Sequence, residues 1–313
     1  MEIGNATHVM EFILIGFAIP WEIEILLFLL FFIILMATIV GNIIIITLIF
    51  TDYRLHSPMY FFLFHLSIIE ILGTLTVVPK MMQNFLLERK TISFYGCLSQ
   101  SYFYFLFGTS EYVLLAMMSY DRYIAICYPL RYSIIMSGKV CVYLVVGSWM
   151  SGFFSILIPT VMKLGLPYCG PNVINHFFCD SAPLLHLACA DISLVEFIDF
   201  IISLPILLGS LFLTLISYIY IISTILRIPS ATGRQKAFST CASHFTVVTI
   251  GYGTSVFIYV RPSQASSMNL NKIASLFTTA VTPMLNPIIF TFRNQKVQEV
   301  FRDSVHKCLG NTK

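Results

Sequence analysis

Two acidic residues stand alone inside long apolar stretches of this sequence. Glu70 and Glu111 each interrupt a stretch that otherwise has no Asp, Glu, Lys or Arg. A carboxylate in an apolar medium must bind a cation, take up a proton or be neutralised by its neighbours. We therefore expect Glu70 and Glu111 to bind a cation or to take up one proton. The alternative is a structural pair that hydrogen-bonds to neighbours such as Asn42 and Asn286.

The composition shows which class of protein carries these acids. Of 313 residues, 58% are apolar and 11% are charged, and the mean hydropathy is +0.86. Soluble domains have about 45–50% apolar and about 25% charged residues. The composition therefore predicts a polytopic membrane protein and excludes a secreted soluble enzyme and a disordered chain. The net charge of +3 is small and dispersed, so we expect no nucleic-acid partner.

Seven stretches are long enough to cross a bilayer, which takes about 20 apolar residues per helix. They predict an all-α membrane protein, a seven-transmembrane-helix bundle. The predicted spans are residues 25–51, 57–80, 95–121, 140–162, 197–226, 237–260 and 273–292. Residues 1–24 form an extracellular N-terminal tail, and residues 293–313 form a cytoplasmic tail that begins with a short amphipathic helix.

The distribution of basic residues predicts the orientation of this bundle. With the N-terminus outside, twelve Lys and Arg residues lie on the cytoplasmic face and six on the outer face. The sequon Asn5-Ala6-Thr7 lies on the side assigned to the outside, so Asn5 is a candidate glycosylation site. Both observations favour an external N-terminus and an internal C-terminus.

Four cysteines share the predicted outer face. Cys97 opens the third span, and Cys169, Cys179 and Cys189 lie in the long loop between spans four and five. Cysteines on an oxidising face are expected to form disulfides. Four cysteines allow two bridges with three pairings, and the sequence by itself leaves the pairing open.

Several motifs carry a family resemblance. Asp121-Arg122-Tyr123 ends the third span and Asn286-Pro287 lies late in the seventh, a combination that resembles rhodopsin-like G-protein-coupled receptors. Longer strings resemble the odorant receptors within that class. These strings are LHSPMYFFL from Leu55, MSYDRYIAICYPLRY from Met118, SY from Ser217 and KAFSTCASH from Lys236. The resemblance covers essentially the whole chain.

The resemblance implies a multi-pass receptor of the plasma membrane and not an enzyme. Its ligand would be a small volatile odorant, and its partner a stimulatory heterotrimeric G protein that acts through cyclic AMP. No cofactor is required, and sodium would act as an allosteric ion at Glu70 and Glu111. The residues implied in activation and G-protein coupling are Asp121, Arg122, Tyr123, Tyr218, Asn286 and Pro287. For Arg122 the alternative is simple snorkelling to the lipid headgroups.

The ligand pocket is predicted partly from helical spacing and partly from the resemblance. In the third span, Tyr104, Gly108 and Tyr112 share one face, with Phe105 and Thr109 adjacent. The resemblance adds Ile202, Ile206, Tyr252, Ser255, Val256, Tyr259 and Thr279. Such a lining suits a mostly apolar molecule with one hydrogen-bonding group, anchored by Ser255, Tyr259 or Thr109. For each residue the alternative is ordinary packing between helices.

Two further expectations concern the ligand and the outer loop. Receptors for amines carry an Asp where this chain has Tyr104, so we do not expect a cationic amine ligand. The resemblance implies the pairs Cys97–Cys179 and Cys169–Cys189, with Cys97–Cys189 as the open alternative. His176 and His186 lie in the same loop, where solvated histidines are favoured over a metal site.

Two other functions compete with the odorant receptor. A receptor of the same fold could sense a non-olfactory metabolite, because expression is not encoded in the bundle. Paired intramembrane acids are also typical of ion-coupled or proton-coupled transporters. Seven spans without an inverted repeat fit a transporter poorly, and such a protein would leave the Asp121-Arg122-Tyr123 motif unexplained.

Overall fold

We describe the protein from a computed structural model, over residues 9–17, 19–169, 171–260 and 267–310. Within these ranges only the backbone is described at residues 236, 239–240, 256–260, 267–269, 292–293 and 308–310. The sequon at Asn5 lies outside the described residues, so its glycosylation stays a prediction.

The described part of the chain contains seven long helices, followed by an eighth. Their bounds are α1 Trp21–Thr51, α2 Pro58–Phe85, α3 Phe94–Cys127, α4 Gly138–Leu164, α5 Ser193–Leu226 and α6 Ala231–Val260. The seventh, α7, consists of Ser267–Leu276, a π-helical turn Phe277–Val281 and Thr282–Arg293, and α8 is Gln295–Gly310. Short helices also occur in the loops at Tyr132–Ile135 and Ser181–Leu185.

Five of the long helices are apolar enough, by length and composition, to cross a membrane. In the residues described these are α1, α2, α4, α5 and the part of α7 from Leu270 to Thr291. The other two, α3 and α6, are more polar because α3 carries Glu111, Asp121 and Arg122 and α6 is rich in Ser, Thr and Gly. Polar side chains in a membrane helix belong on the faces turned towards other helices.

Most helices extend beyond the predicted spans, because a helix does not stop where the hydrocarbon ends. One such difference is at the N-terminus, where residues 1–24 were assigned to a tail. There α1 begins at Trp21, after an extended Pro20, with Glu22 and Glu24 in its first turn. Acidic side chains at a helix N-terminus interact favourably with the helix dipole. The helix predicted after the seventh span is present as α8, with Val297 and Val300 buried on its inner face.

A small sheet, which the sequence analysis did not predict, forms a cap at the end of the bundle where α3 begins. Strand β1 (Glu11–Leu14) pairs antiparallel with β2 (Thr91–Ser93) and parallel with β3 (Val173–Ile174). Phe12 and Leu14 of β1 are almost completely buried, against a cluster that includes Cys97 and Cys179. The cap therefore ties the N-terminal segment to this end of the bundle.

The third helix lies at the centre of the bundle and packs against α2, α4 and α5. Its contact with α4 is closest at Gly152, where an added Cβ would overlap the Leu106 carbonyl oxygen and the Ser110 hydroxyl. The Leu106 oxygen is backbone and cannot rotate away. On the other side of the bundle, a Cβ at Gly41 would lie 3.0 Å from Pro287, so α1 and α7 also approach closely.

We predict that Gly152→Ala destabilises the protein by about 1–3 kcal/mol, because the new methyl group forces α3 and α4 apart. Gly147→Ala is the matched control on the same helix, since a Cβ there meets nothing within 4 Å. Thermal unfolding of the two purified variants measures the effect. Equal unfolding temperatures for the two variants would contradict this packing.

Candidate functional site

A polar cluster joins α1, α2 and α7 in the interior of the bundle. Glu70 is 3% exposed and accepts a hydrogen bond from the Asn286 side-chain amide. The Asn42 amide donates to the Thr38 carbonyl at 3.1 Å and to the Pro283 carbonyl at 3.4 Å, which joins α1 to α7. Glu111 lies close enough to Glu70 for an electrostatic interaction between the two carboxyl groups. The Asn286 hydrogen bond of the structural alternative is therefore present, and the two acids also lie near each other.

The oxygen atoms around Glu70 are of the kind that coordinate a hard cation. The side-chain carbonyl oxygens of Asn42 and Asn286 are buried and have no hydrogen-bond partner in the described part of the structure. No group of three or more His, Cys, Asp or Glu side chains that could hold a metal occurs among the described residues. A cation here would thus depend on one or two carboxylates together with amide oxygens.

The outer half of the predicted pocket lies beneath the loop between α4 and α5. The Tyr104 ring lies 4.6 Å from Phe178 of that loop and 5.1 Å from Phe105, centroid to centroid. One turn further into α3, a Cβ at Gly108 would meet nothing within 4 Å, so space is left beside the helix. Thr109 follows on the same helix and is half-buried.

The inner half brings α3 and α6 together through three predicted residues. The Tyr112 hydroxyl is hydrogen-bonded to the Ser255 hydroxyl, and Tyr252 donates to the Tyr112 carbonyl at 3.3 Å. The Tyr112 and Tyr252 rings are 5.2 Å apart. Ser255, expected to anchor a ligand, is thus bonded to Tyr112 in this state. A ligand that used Ser255 would have to compete with that bond.

The structure gives less information on the other residues predicted to line the pocket. Ile202 and Ile206 are half-buried on α5. Thr279 is buried, but its hydroxyl donates to the Ser275 carbonyl one turn earlier, at 2.7 Å. The side chains of Val256 and Tyr259 lie outside the described residues.

The loop between α4 and α5 is fixed as a roof by two disulfides. The structure joins Cys97 to Cys179 and Cys169 to Cys189, the pairing that the resemblance implies. His186 is exposed, as expected, but the expectation of a solvated His176 is wrong. His176 is 5% exposed because it lies between Phe177 and Phe178, with ring centroids 4.6 and 4.5 Å away. Burial, and then nearby Lys272, lower the pKa of His176 to about 3.

At the C-terminal end of α3, Arg122 is held by its neighbour. Its Nε donates to Asp121 at 3.0 Å, and the Asp121 carboxylate also accepts from the Tyr132 hydroxyl at 2.8 Å. The Arg122 side chain is only 11% exposed, and Asp121 is fully buried. Snorkelling to the headgroups would leave the guanidinium exposed, so the alternative reading of Arg122 is not supported. Tyr132 was not singled out from the sequence, since the bond depends on how the following loop folds.

A second contact near Arg122 joins α5 to α6. The Tyr218 hydroxyl and His244 Nδ1 are 2.7 Å apart, and both side chains are buried. Tyr218 packs in a cluster with Cys241 of α6 and Tyr123 of α3. Sequence reasoning quoted His244 within a motif but gave it no role, although a histidine in an apolar helix is itself a signal of a buried polar contact.

We predict that Tyr218→Phe weakens the α5–α6 contact by about 1–3 kcal/mol, because it leaves His244 Nδ1 buried without its partner. Tyr220→Phe is the matched control, since Tyr220 is 55% exposed on the same helix. Thermal unfolding and basal signalling at equal surface expression are the measurements. Tyr218→Phe and Tyr220→Phe receptors that behave alike would contradict the role of this bond.

Comparisons with known proteins agree with these features. A family model described as olfactory receptor matches residues 28–309. Human olfactory receptor 6J1 is 53% identical over 96% of this chain and 87% of its own length. Mouse olfactory receptor 6E1 is 49% identical over 97% of both chains.

A solved structure shows the fold. Squid rhodopsin superposes with a TM-score of 0.64, covers 95% of this chain and 91% of its own, and is 16% identical. At that identity the likeness concerns the helical bundle alone. The family model and the sequence relatives carry the assignment further: the chain belongs to the olfactory receptor family of multi-pass plasma-membrane receptors, and it is not an enzyme.

Proposed function

We propose that this receptor binds a small, mostly apolar volatile odorant within the bundle and activates a stimulatory heterotrimeric G protein that raises cyclic AMP. The observation that carries the proposal is the enclosed Asp121–Arg122 pair at the cytoplasmic end of α3. The family resemblance implies that such a tether is intact at rest and released on activation. The N-terminus would lie outside the cell and the C-terminus inside, as the basic residues indicate.

Ligand and G protein communicate through the same helices. The Tyr112–Ser255 and Tyr252–Tyr112 contacts join α3 to α6 near the pocket, and Tyr218–His244 joins α5 to α6 near Arg122. A ligand that binds better when the pocket contacts are rearranged shifts the population towards that state. Movement of the cytoplasmic end of α6 away from α3 would then expose Arg122 to the G protein. This route needs no covalent chemistry.

The loop after α3 offers a surface for that partner. Leu130 is 94% exposed and Ile134 is 76% exposed, and Arg131 between them is exposed as well. Exposed apolar side chains next to a basic residue are characteristic of a protein-binding surface. Tyr132 in the same loop bonds to Asp121, so binding at this surface acts on the atoms that hold Arg122.

We predict that Asp121→Asn raises basal cyclic AMP several-fold, because it releases Arg122, and that Arg122→Ala abolishes the odorant response. Glu299→Gln, an exposed acid on α8, is the control and should leave both unchanged. Cyclic AMP is measured in cells that also express the olfactory-type stimulatory G protein, across a panel of volatile compounds. Signals are normalised to surface expression, since Arg122→Ala leaves Asp121 without its cation.

A full response in surface-expressed Arg122→Ala receptor would contradict the proposed coupling. Non-volatile metabolites are tested beside the volatile panel, and a response to those metabolites alone would favour the non-olfactory alternative with the same fold. Family membership gives no support to the transporter alternative.

We also propose that Glu70, together with Glu111, holds a sodium ion or a proton in the resting state. Two carboxylates that interact in an apolar bundle are hard to keep charged without a cation. The buried, unpartnered oxygens of Asn42 and Asn286 in the described structure would supply further ligands. Asn286 precedes Pro287 in α7, so loss of the ion would act on the helix that adjoins α8.

We predict that sodium lowers basal G-protein activation in membranes from wild-type cells, because it stabilises the resting bundle, and that Glu70→Gln removes this dependence. Sodium is replaced by N-methylglucamine at constant ionic strength, and nucleotide exchange on the G protein is measured. Glu299→Gln should keep the wild-type sodium effect. A sodium effect that survives Glu70→Gln unchanged would place the ion elsewhere.

A further inference from the structure

One buried cation at the outer end of the bundle has only neutral partners. Lys272 of α7 is 4% exposed. Its ammonium donates to the Gly16 carbonyl at 2.6 Å and to the Asn175 side-chain oxygen at 2.7 Å. It also lies 5.8 Å from the centroid of the Phe17 ring. In the part of the chain that the structure describes, no carboxylate forms an ion pair with it.

Two other lysines on this face, Lys163 and Lys90, have carboxylate partners. Lys163 is 5% exposed, and its ammonium lies 2.9 Å from the Asp199 carboxylate. Lys90 is partly buried and forms an ion pair with Glu24. The fold thus supplies counter-ions to Lys163 and Lys90 but gives Lys272 carbonyl oxygens instead.

A buried ammonium without a counter-ion is costly to maintain. An ammonium has three N–H donors, and the two acceptors here use two of them. One donor and one positive charge are therefore available to a group that enters from outside. The chemistry that satisfies both is an anion with an accessible oxygen, and a carboxylate is the simplest.

Aromatic contacts connect Lys272 to the predicted ligand pocket. Phe17 lies beneath the ammonium and stacks on Phe177 with ring centroids 6.1 Å apart. Phe177 contacts Phe178 at 5.2 Å, and Phe178 contacts Tyr104 at 4.6 Å. These rings form a continuous apolar contact from the charged group down to α3. A ligand that suits these side chains has an acid group beside Lys272 and a hydrocarbon tail against the aromatic rings.

We propose that Lys272 recognises the carboxylate of an odorant acid, whose apolar tail lies along Phe177 and Phe178 towards Tyr104 and Gly108. This inference rests on the proposed function and names the ligand class for the same pocket. A cation at the roof also disfavours amine ligands, in agreement with the sequence analysis. The competing role for Lys272 is structural, as a strap between α7, the N-terminal segment and the loop.

The test compares acids with uncharged molecules of the same shape. Hexanoic, octanoic and phenylacetic acids and their methyl esters are added to purified full-length receptor, and the shift in unfolding temperature gives the apparent affinity of each. Lys272→Gln removes the charge, and Lys272→Arg keeps it. Asn175→Ala is the matched control, because it removes one neutral tether and leaves the ammonium. Cyclic AMP responses to the same molecules are recorded in cells.

We expect wild-type receptor to bind at least one acid about ten- to a hundredfold more tightly than its ester, the range for a hydrogen bond to a charged group. Lys272→Gln should lose this preference, while Lys272→Arg and Asn175→Ala retain it. A purely structural lysine would instead weaken acids and esters equally, and Asn175→Ala would share the defect. Either that pattern or the absence of any acid preference in wild type overturns the proposal.

The two readouts separate this inference from the proposed function. In one outcome, esters raise cyclic AMP in an Arg122-dependent way but the receptor shows no preference for acids. That outcome supports the proposed receptor function and refutes the role of Lys272. Acid-specific stabilisation that Lys272→Gln removes, without any cyclic AMP response, supports Lys272 and refutes the proposed coupling.

Discussion

The absence of water inside a bilayer is the constraint on which this structure depends. Buried polar groups in such a bundle must find partners within the protein. Glu70 meets that demand through Asn286, Asp121 through Arg122, and Tyr218 through His244. Two of these contacts join different helices, so the groups that are most expensive to leave unpaired also determine how the helices are arranged.

In the proposed mechanism, the same constraint would make the resting and active arrangements of the receptor two discrete states. A partly broken polar contact in an apolar medium has a higher free energy than either an intact contact or one with a new partner. A helix held by such a contact therefore does not move away gradually. The pocket contacts of Tyr112 with Tyr252 and Ser255 join α3 to α6, and α3 also carries Arg122 near its C-terminal end. A ligand that replaces the outer contacts therefore changes the balance at the inner ones, and its energetic effect is limited to its preference for one state over the other.

The sequence could predict those features of the fold that depend on residues close together in the chain. Apolar runs and basic residues are read along the chain, so the seven spans and the helix after them were accessible, and the motifs indicated the family. Three contacts could not be predicted from residue spacing, because they join distant segments or depend on how a loop folds. They are the bond from Tyr132 to Asp121, the bond between Tyr218 and His244, and the neutral oxygen atoms that accept from Lys272. Strand β1 was also missed, since four residues within a presumed tail are too few to predict a sheet whose next strand begins only at Thr91.

The central claim is that a ligand in the outer half of the bundle separates α6 from the core at the cytoplasmic end. The most direct measurement is the distance between spin labels attached through unnatural amino acids at Tyr53, which is 81% exposed before α2, and Gln235, which is exposed on α6. The account predicts that an activating odorant lengthens the distance distribution in receptor reconstituted in nanodiscs, and more so with the G protein present. An unchanged distribution at a saturating odorant concentration that does raise cyclic AMP would contradict it.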